Sequence, residues 1–202
     1  MASSRARTAL WNGLLVVTLA WIVQCLAPPA GLEAQDGRPG ADSAACPAGT
    51  EPPPTLPGPV VEMRESILAA VRSGDIEDLR TALEWNELKP HVADEPVDDA
   101  IAYWKRISGD GEGREILAIL AEILDCPPAV LPIGKDIENN RVFVWPAVAE
   151  ADLAKLTPPQ EVALYRLVRP DAVKAMREAK RWTWWRLAIG ADGTWHSFHK
   201  SK

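Results

Sequence analysis

Phenylalanine and tyrosine are nearly missing from this chain. Its 202 residues hold two of each, against nine tryptophans. Aromatic packing or recognition must therefore come mainly from indole rings. Histidine and cysteine are also scarce, at three each. Three cysteines allow at most one disulfide, with one thiol left over. Basic charge is in deficit: 22 Lys and Arg against 28 Asp and Glu, a formal net charge of −6. That balance lacks the basic footprint of a nucleic-acid binder. No apolar run reaches the roughly 20 residues that a membrane-spanning helix needs. Several signatures are missing as well. There is no G-x-S-x-G nucleophile elbow, and the glycine-rich stretch Ser108 to Glu115, "SGDGEGRE", lacks the lysine of a P-loop. Its Asp110 and Glu112 would repel a phosphate, and their spacing is not that of an EF-hand. This stretch reads as a mobile connector between two helices.

What is present begins with an export signal. Arg5 and Arg7 precede the apolar run Leu14 to Ala27, "LLVVTLAWIVQCLA", and small residues follow up to Ala34. The length suits a signal h-region, so residues 1–34 read as a signal peptide cleaved after Ala34. The alternative is an uncleaved N-terminal anchor, which would be the one source of membrane contact. Cys25 follows Gln24 rather than the small residue of a lipobox, which argues against a lipoprotein. Residues 35–59 are rich in Pro, Gly, Ala and acids and almost free of large apolar side chains. They read as a disordered linker, because such a stretch cannot bury enough surface to offset its ordering entropy. A single domain over residues 60–202 follows. The expected location is periplasmic or secreted. In an oxidising compartment Cys46 and Cys126 can form the single bridge. Two unpaired thiols, with Cys126 partly buried, are the alternative reading.

Helical spacing appears at Val60, Met63, Ile67, Leu68 and Val71, closed by Gly74, with Asp75 placed to cap a second helix carrying Ile76, Leu79 and Leu83. A third helix carries Val97, Ile101 and Trp104. A fourth, "GREILAILAEILD", is apolar over a wide arc and so central. Prolines 127, 128 and 132 then exclude a long helix, and Val142 to Trp145 is a short β-run ended by Pro146. Thr157, Pro158 and Gln160 form a capping box opening a fifth helix, and a sixth follows Pro170. The fold class is therefore α+β: N-terminal helices, a short strand, two further helices and a C-terminal β-hairpin.

The hairpin turns at Ala191-Asp192-Gly193, with Gly193 at positive φ. Counting back from that turn sets Ile189 against Trp195, Leu187 against Ser197 and Trp185 against His199. Alternation then gives one core face with Trp185, Leu187, Ile189 and Trp195. The second face holds Trp182, Trp184, Arg186, His196 and Phe198. Two readings of that face stand. Trp182 and Trp184 are a platform for a sugar or another flat apolar group, with Arg186 and His196 supplying polar contacts. Otherwise the face is covered and forms core with a polar edge. His196 and His199, three apart on a strand, point to opposite sides and make a poor metal pair. No catalytic residue, metal or cofactor is assigned, and enzymatic activity has no support from these motifs.

The strings "LTPPQ" and "IGADGTW", within "VFVWPAVAEADLAKLTPPQEVALYRLV" and "WWRLAIGADGTWHSF", resemble a group of uncharacterised bacterial exported proteins. The resemblance spans roughly 60–198. It implies one exported domain and brings no activity, cofactor or site residue. The order of helices before strands also resembles the cone-shaped NTF2-like or cystatin-like folds, which implies a small-ligand or enzymatic pocket as the alternative to an envelope-associated binding domain. Glycans, peptides or envelope proteins are the partners these readings imply. Intact mass of the exported protein checks the export reading: the chain should start at Gln35, and a chain starting at Met1 would refute cleavage.

Overall fold

A computed structural model of the chain describes residues 46, 52–134 and 140–201. The expected signal peptide, its cleavage site and most of the expected linker lie outside the described residues. The fold is α+β. Helix α1 spans Gly58–Ser73, and a 3-10 turn, Ile76–Asp78, leads into α2, Leu79–Glu84. Then come α3 (Ala100–Ile107), α4 (Arg114–Leu124) and strands β1 (Ala129–Pro132) and β2 (Arg141–Trp145). A second 3-10 turn, Ala147–Glu150, precedes α5 (Pro158–Leu167) and α6 (Pro170–Ala179). Strands β3 (Trp185–Gly190) and β4 (Trp195–Lys200) complete one antiparallel sheet in the order β1-β2-β3-β4. Among the described residues no helix is long and apolar enough to cross a membrane.

Local chemistry explains where the elements begin. Asp75 accepts a hydrogen bond from Glu77 N and opens the first 3-10 turn. Asp99 does the same for α3, accepting from Ile101 N and Ala102 N at 2.9 and 3.2 Å. At α5, Gln160 Oε1 accepts from Thr157 N at 2.8 Å, completing a capping box. Helix α1 starts at Gly58, and Leu56 packs against the core, so the ordered domain begins before Val60. The stretch 108–113 is structured rather than a mobile connector. The Asp110 carboxylate accepts from Ser108 Oγ and from Gly113 N and Arg114 N, the last two at 3.1 Å. Those bonds hold its pKa down at about 2, the serine hydroxyl first among them. Gly113 is required there twice over. Its φ is +84°, and a Cβ would sit 2.5 Å from Ile76 Cδ1.

The main core lies between one sheet face and helices α1 to α4. Trp104 of α3 is its centre. It stacks on Trp195 at 5.8 Å between centroids and meets Phe198 at 5.5 Å, while Phe198 stacks on Trp185 at 4.8 Å. A second, smaller core gathers Val148, Leu153, Leu164, Val173, Met176 and Trp182 between the second 3-10 turn and helices α5 and α6.

The hairpin differs from the expected register. Ile189 does oppose Trp195, but Ala188 opposes Ser197, Leu187 opposes Phe198 and Trp185 opposes Lys200. A β-bulge between Ala188 and Ile189 leaves His196 as the extra residue on β4. Because side chains alternate with period two, one extra residue exchanges the faces of everything beyond it. Phe198 therefore belongs to the core face and not to the polar face. Strand β1 was also unforeseen. Its one proline, Pro132, lies on the edge strand of the sheet, where a missing N–H is tolerated.

The bulge has a direct test. Phe198→Ala should cost about 3–5 kcal/mol in urea unfolding, the range for emptying a buried aromatic site. A surface position would cost under about 0.5 kcal/mol.

Candidate functional site

An open cleft of about 830 Å³ lies beside α3 and α4. One wall is built by α3 and α4, through Tyr103, Arg106, Glu115 and Ile119. The facing wall is the loop segment Val92 to Val97, which carries Asp94 and Glu95. Trp184, Trp185 and the β4 end, Lys200, close it.

Two rings in this cleft each lie beneath a cation. The Arg106 guanidinium sits 5.1 Å from the centre of the Tyr103 ring, and Lys200 Nζ sits 5.0 Å from the centre of Trp184. The first pair follows from helix spacing, since residues three apart share a face. The second needs the β4 register, which brings Lys200 opposite Trp185, beside Trp184. Among the described residues neither cation is in an ion pair. The opposite wall is acidic, and α4 adds Glu115. The cleft thus offers flat apolar surface, two unpaired cations and facing carboxylates.

The four residues of the expected platform are separated. Trp182 is only 8% exposed. It precedes β3 and belongs to the second core, with its Nε1 donating to Trp185 O at 3.2 Å. Arg186 is drawn to Glu150 at 2.7 Å. His196, the bulge residue, is exposed beside the hairpin turn and lines a different, 210 Å³ recess. Trp184 alone reaches the cleft. The reading of these four as one surface is therefore corrected: three are claimed by a core, an ion pair and a bulge. Trp185 and Trp195 lie in the core.

Cys46 and Cys126 are joined in a disulfide across 80 residues of sequence. They form a small buried cluster with Ala163 of α5. No group of three or more His, Cys, Asp or Glu among the described residues is placed to hold a metal ion.

A second constellation was not visible in the sequence. The His91 and His199 rings meet edge to face, 4.8 Å apart. His91 N donates to His196 O at 2.8 Å, and Phe198 N donates to His91 O at 3.0 Å. The loop is thereby stitched to the outer edge of β4 as a one-residue parallel bridge. Asn86 adds to this: its Nδ2 donates to Trp195 O and its Oδ1 accepts from Trp195 N. A sequence separation of 108 residues hides the histidine pair. No family model, no curated protein and no solved structure matches the chain.

Tryptophan quenching tests these placements. Trp85 is 57% exposed and would dominate acrylamide quenching, so Trp85→Phe is the suitable background. There Trp184→Phe should remove most of the remaining quenchable component. Trp182→Phe should leave quenching unchanged and lower the melting temperature.

Proposed function

We propose that this chain is an exported, non-enzymatic binding domain and that the cleft between α3, α4 and the loop 92–97 is its recognition site. The observation that carries this reading is the pair of aromatic rings in one cleft, each beneath a cation that has no ionic partner among the described residues. Such a surface suits a ligand with a flat or extended apolar body and charges of both signs, a short peptide above all. The rings take the body by stacking. Arg106 and Lys200 take a carboxylate, for which guanidinium offers a two-pronged donor. Glu95, on the facing loop, is placed to receive an amine. The make-up of the wall favours binding over bond-making chemistry: the residues that line it include neither histidine nor cysteine.

Export is supported by the N-terminal pattern of residues 1–34 and by the Cys46–Cys126 disulfide, a bond that persists in oxidising compartments. An envelope-associated role fits this reading, with the cleft rather than the Trp182/Trp184 face as the binding surface.

Thermal unfolding against a panel of short peptides and oligosaccharides tests the proposal. A ligand held at about 100 times its Kd should stabilise the fold by about 2.7 kcal/mol. Arg106→Met and Lys200→Met should each abolish that shift and leave the unliganded melting temperature near wild type. A panel without any shift, or a shift that survives both substitutions, would refute the cleft as the site.

A further inference from the structure

Three features of the cleft's loop wall act together. The loop segment Val92 to Val97 follows directly on His91, and His91 is the residue that stitches the loop to β4. The stitch consists of two backbone hydrogen bonds and the edge-to-face contact of the His91 ring with His199. His199 Nδ1 is buried and has no hydrogen-bond partner, so the pinned arrangement has no acceptor for a proton at that atom.

From this geometry we infer that the histidine pair is an acid-sensitive latch, which pins the cleft's loop wall to β4 at neutral pH and lets it open in acid. The inference rests on the cleft being the ligand site and adds its regulation. Its logic is charge and burial. In the pinned state a proton on His199 would sit half-buried beside a second imidazole from the loop and the guanidinium of Arg186 from β3. These groups disfavour the cation, burial first, then His91, then Arg186. Asp94 of the loop works in the opposite direction, and it is the weakest of the four. Glu150, from the 3-10 turn after β2, is engaged by Arg186 at 2.7 Å and so partly offsets that guanidinium.

The sign follows from linkage. His199 in the pinned state lies below its ordinary value of 6.5, and release returns it to solvent. The open state therefore binds more protons, and acid favours opening. The latch is fully set above about 6.5 and is lost as pH falls from there through the lowered value. Two anchors keep the opening local. Val92 is buried in the main core, and Asn86 holds Trp195 through both of its amide atoms. The segment beyond Val92 can lift without loss of the sheet. A binding domain built this way holds its ligand at neutral pH and gives it up in an acidified compartment.

The test is native-state amide exchange followed by NMR on the unliganded full chain, with protection factors corrected for intrinsic rates. The His91 and Phe198 amides report the stitch, and amides of α1 serve as the internal reference. Between pH 7.5 and 5.0 their protection should fall relative to that of α1, because the open state binds the proton that the pinned state disfavours. His199→Phe keeps an aromatic ring against His91 and removes the proton site, so its protection should be flat over that range. His91→Phe is the second variant and should weaken the pH dependence, since it removes one of the two charges. A flat wild type, or a fall of equal size in His199→Phe, would overturn the latch. Because no ligand is present, failure of the peptide panel would refute the cleft and leave this result standing.

Discussion

The contact on which the C-terminal half of the fold depends is that of Trp104 with two rings of β4 at once. Trp195 and Phe198 are three residues apart, and on a regular strand they would point to opposite faces. The bulge at His196 removes that conflict, so both rings turn toward α3. Each buried aromatic carries a large apolar area, and stacked or tilted pairs add about 0.5–1.5 kcal/mol beyond it. A single inserted residue thus decides whether Phe198 strengthens the core or lies idle on the surface. Both phenylalanines of the chain lie in this core, Phe198 on β4 and Phe143 on β2.

The same bulge decides what happens at the sheet edge. Strand β4 is terminal, and an uncovered edge invites pairing with other chains. The loop after α2 covers it in two steps, first through the Asn86 amide and then through the His91 peptide group. Having done so, the loop continues as the acidic wall of the cleft before Asp99 caps α3. Edge protection, cleft wall and helix cap are therefore successive duties of one segment. The segment that lines the cleft is thus continuous with the residues that guard the edge of β4.

Much of this was legible in the sequence because it is local. Helix stops and starts at Gly74, Asp75, Thr157 and Gln160 depend on neighbours within a few residues. The apolar spacing of Val60, Met63 and Ile67 needs only the helical period. The core placement of Trp185 and Trp195 followed from a turn and simple alternation. What was not legible is non-local. Strand β1 has four residues and ends in proline, so its identity comes from pairing with β2 rather than from its own composition. The bulge leaves no mark in composition, and the phase of Phe198 was misread for that reason. Trp182 looks like part of a strand, yet the chain turns into β3 only at Trp185, and α5 and α6 take the ring into a second core. The aromatic-cation cleft draws on residues from 92 to 201, and no spacing rule spans that distance.

The end of α4 shows why the two cores hold together. Its last turn leaves unpaired carbonyls and the negative end of the helix dipole. Arg64 of α1 donates to Leu124 O at 2.9 Å there. Arg166 of α5 reaches Asp125 at 2.6 Å and Glu122 at 3.4 Å. One residue beyond Asp125, Cys126 takes up the disulfide with Cys46. Closing a loop of that length is worth about 4–5 kcal/mol on the chain-entropy account, a large part of a domain's usual net stability. Partly exposed ion pairs such as those of Arg166 contribute far less, about 0–1 kcal/mol each. The covalent bond therefore fixes Cys46 at the end of α4, and the Arg166 pairs with the packing of Ala163 join α5 to the same point. The contribution of the disulfide to stability requires that both thiols stay oxidised.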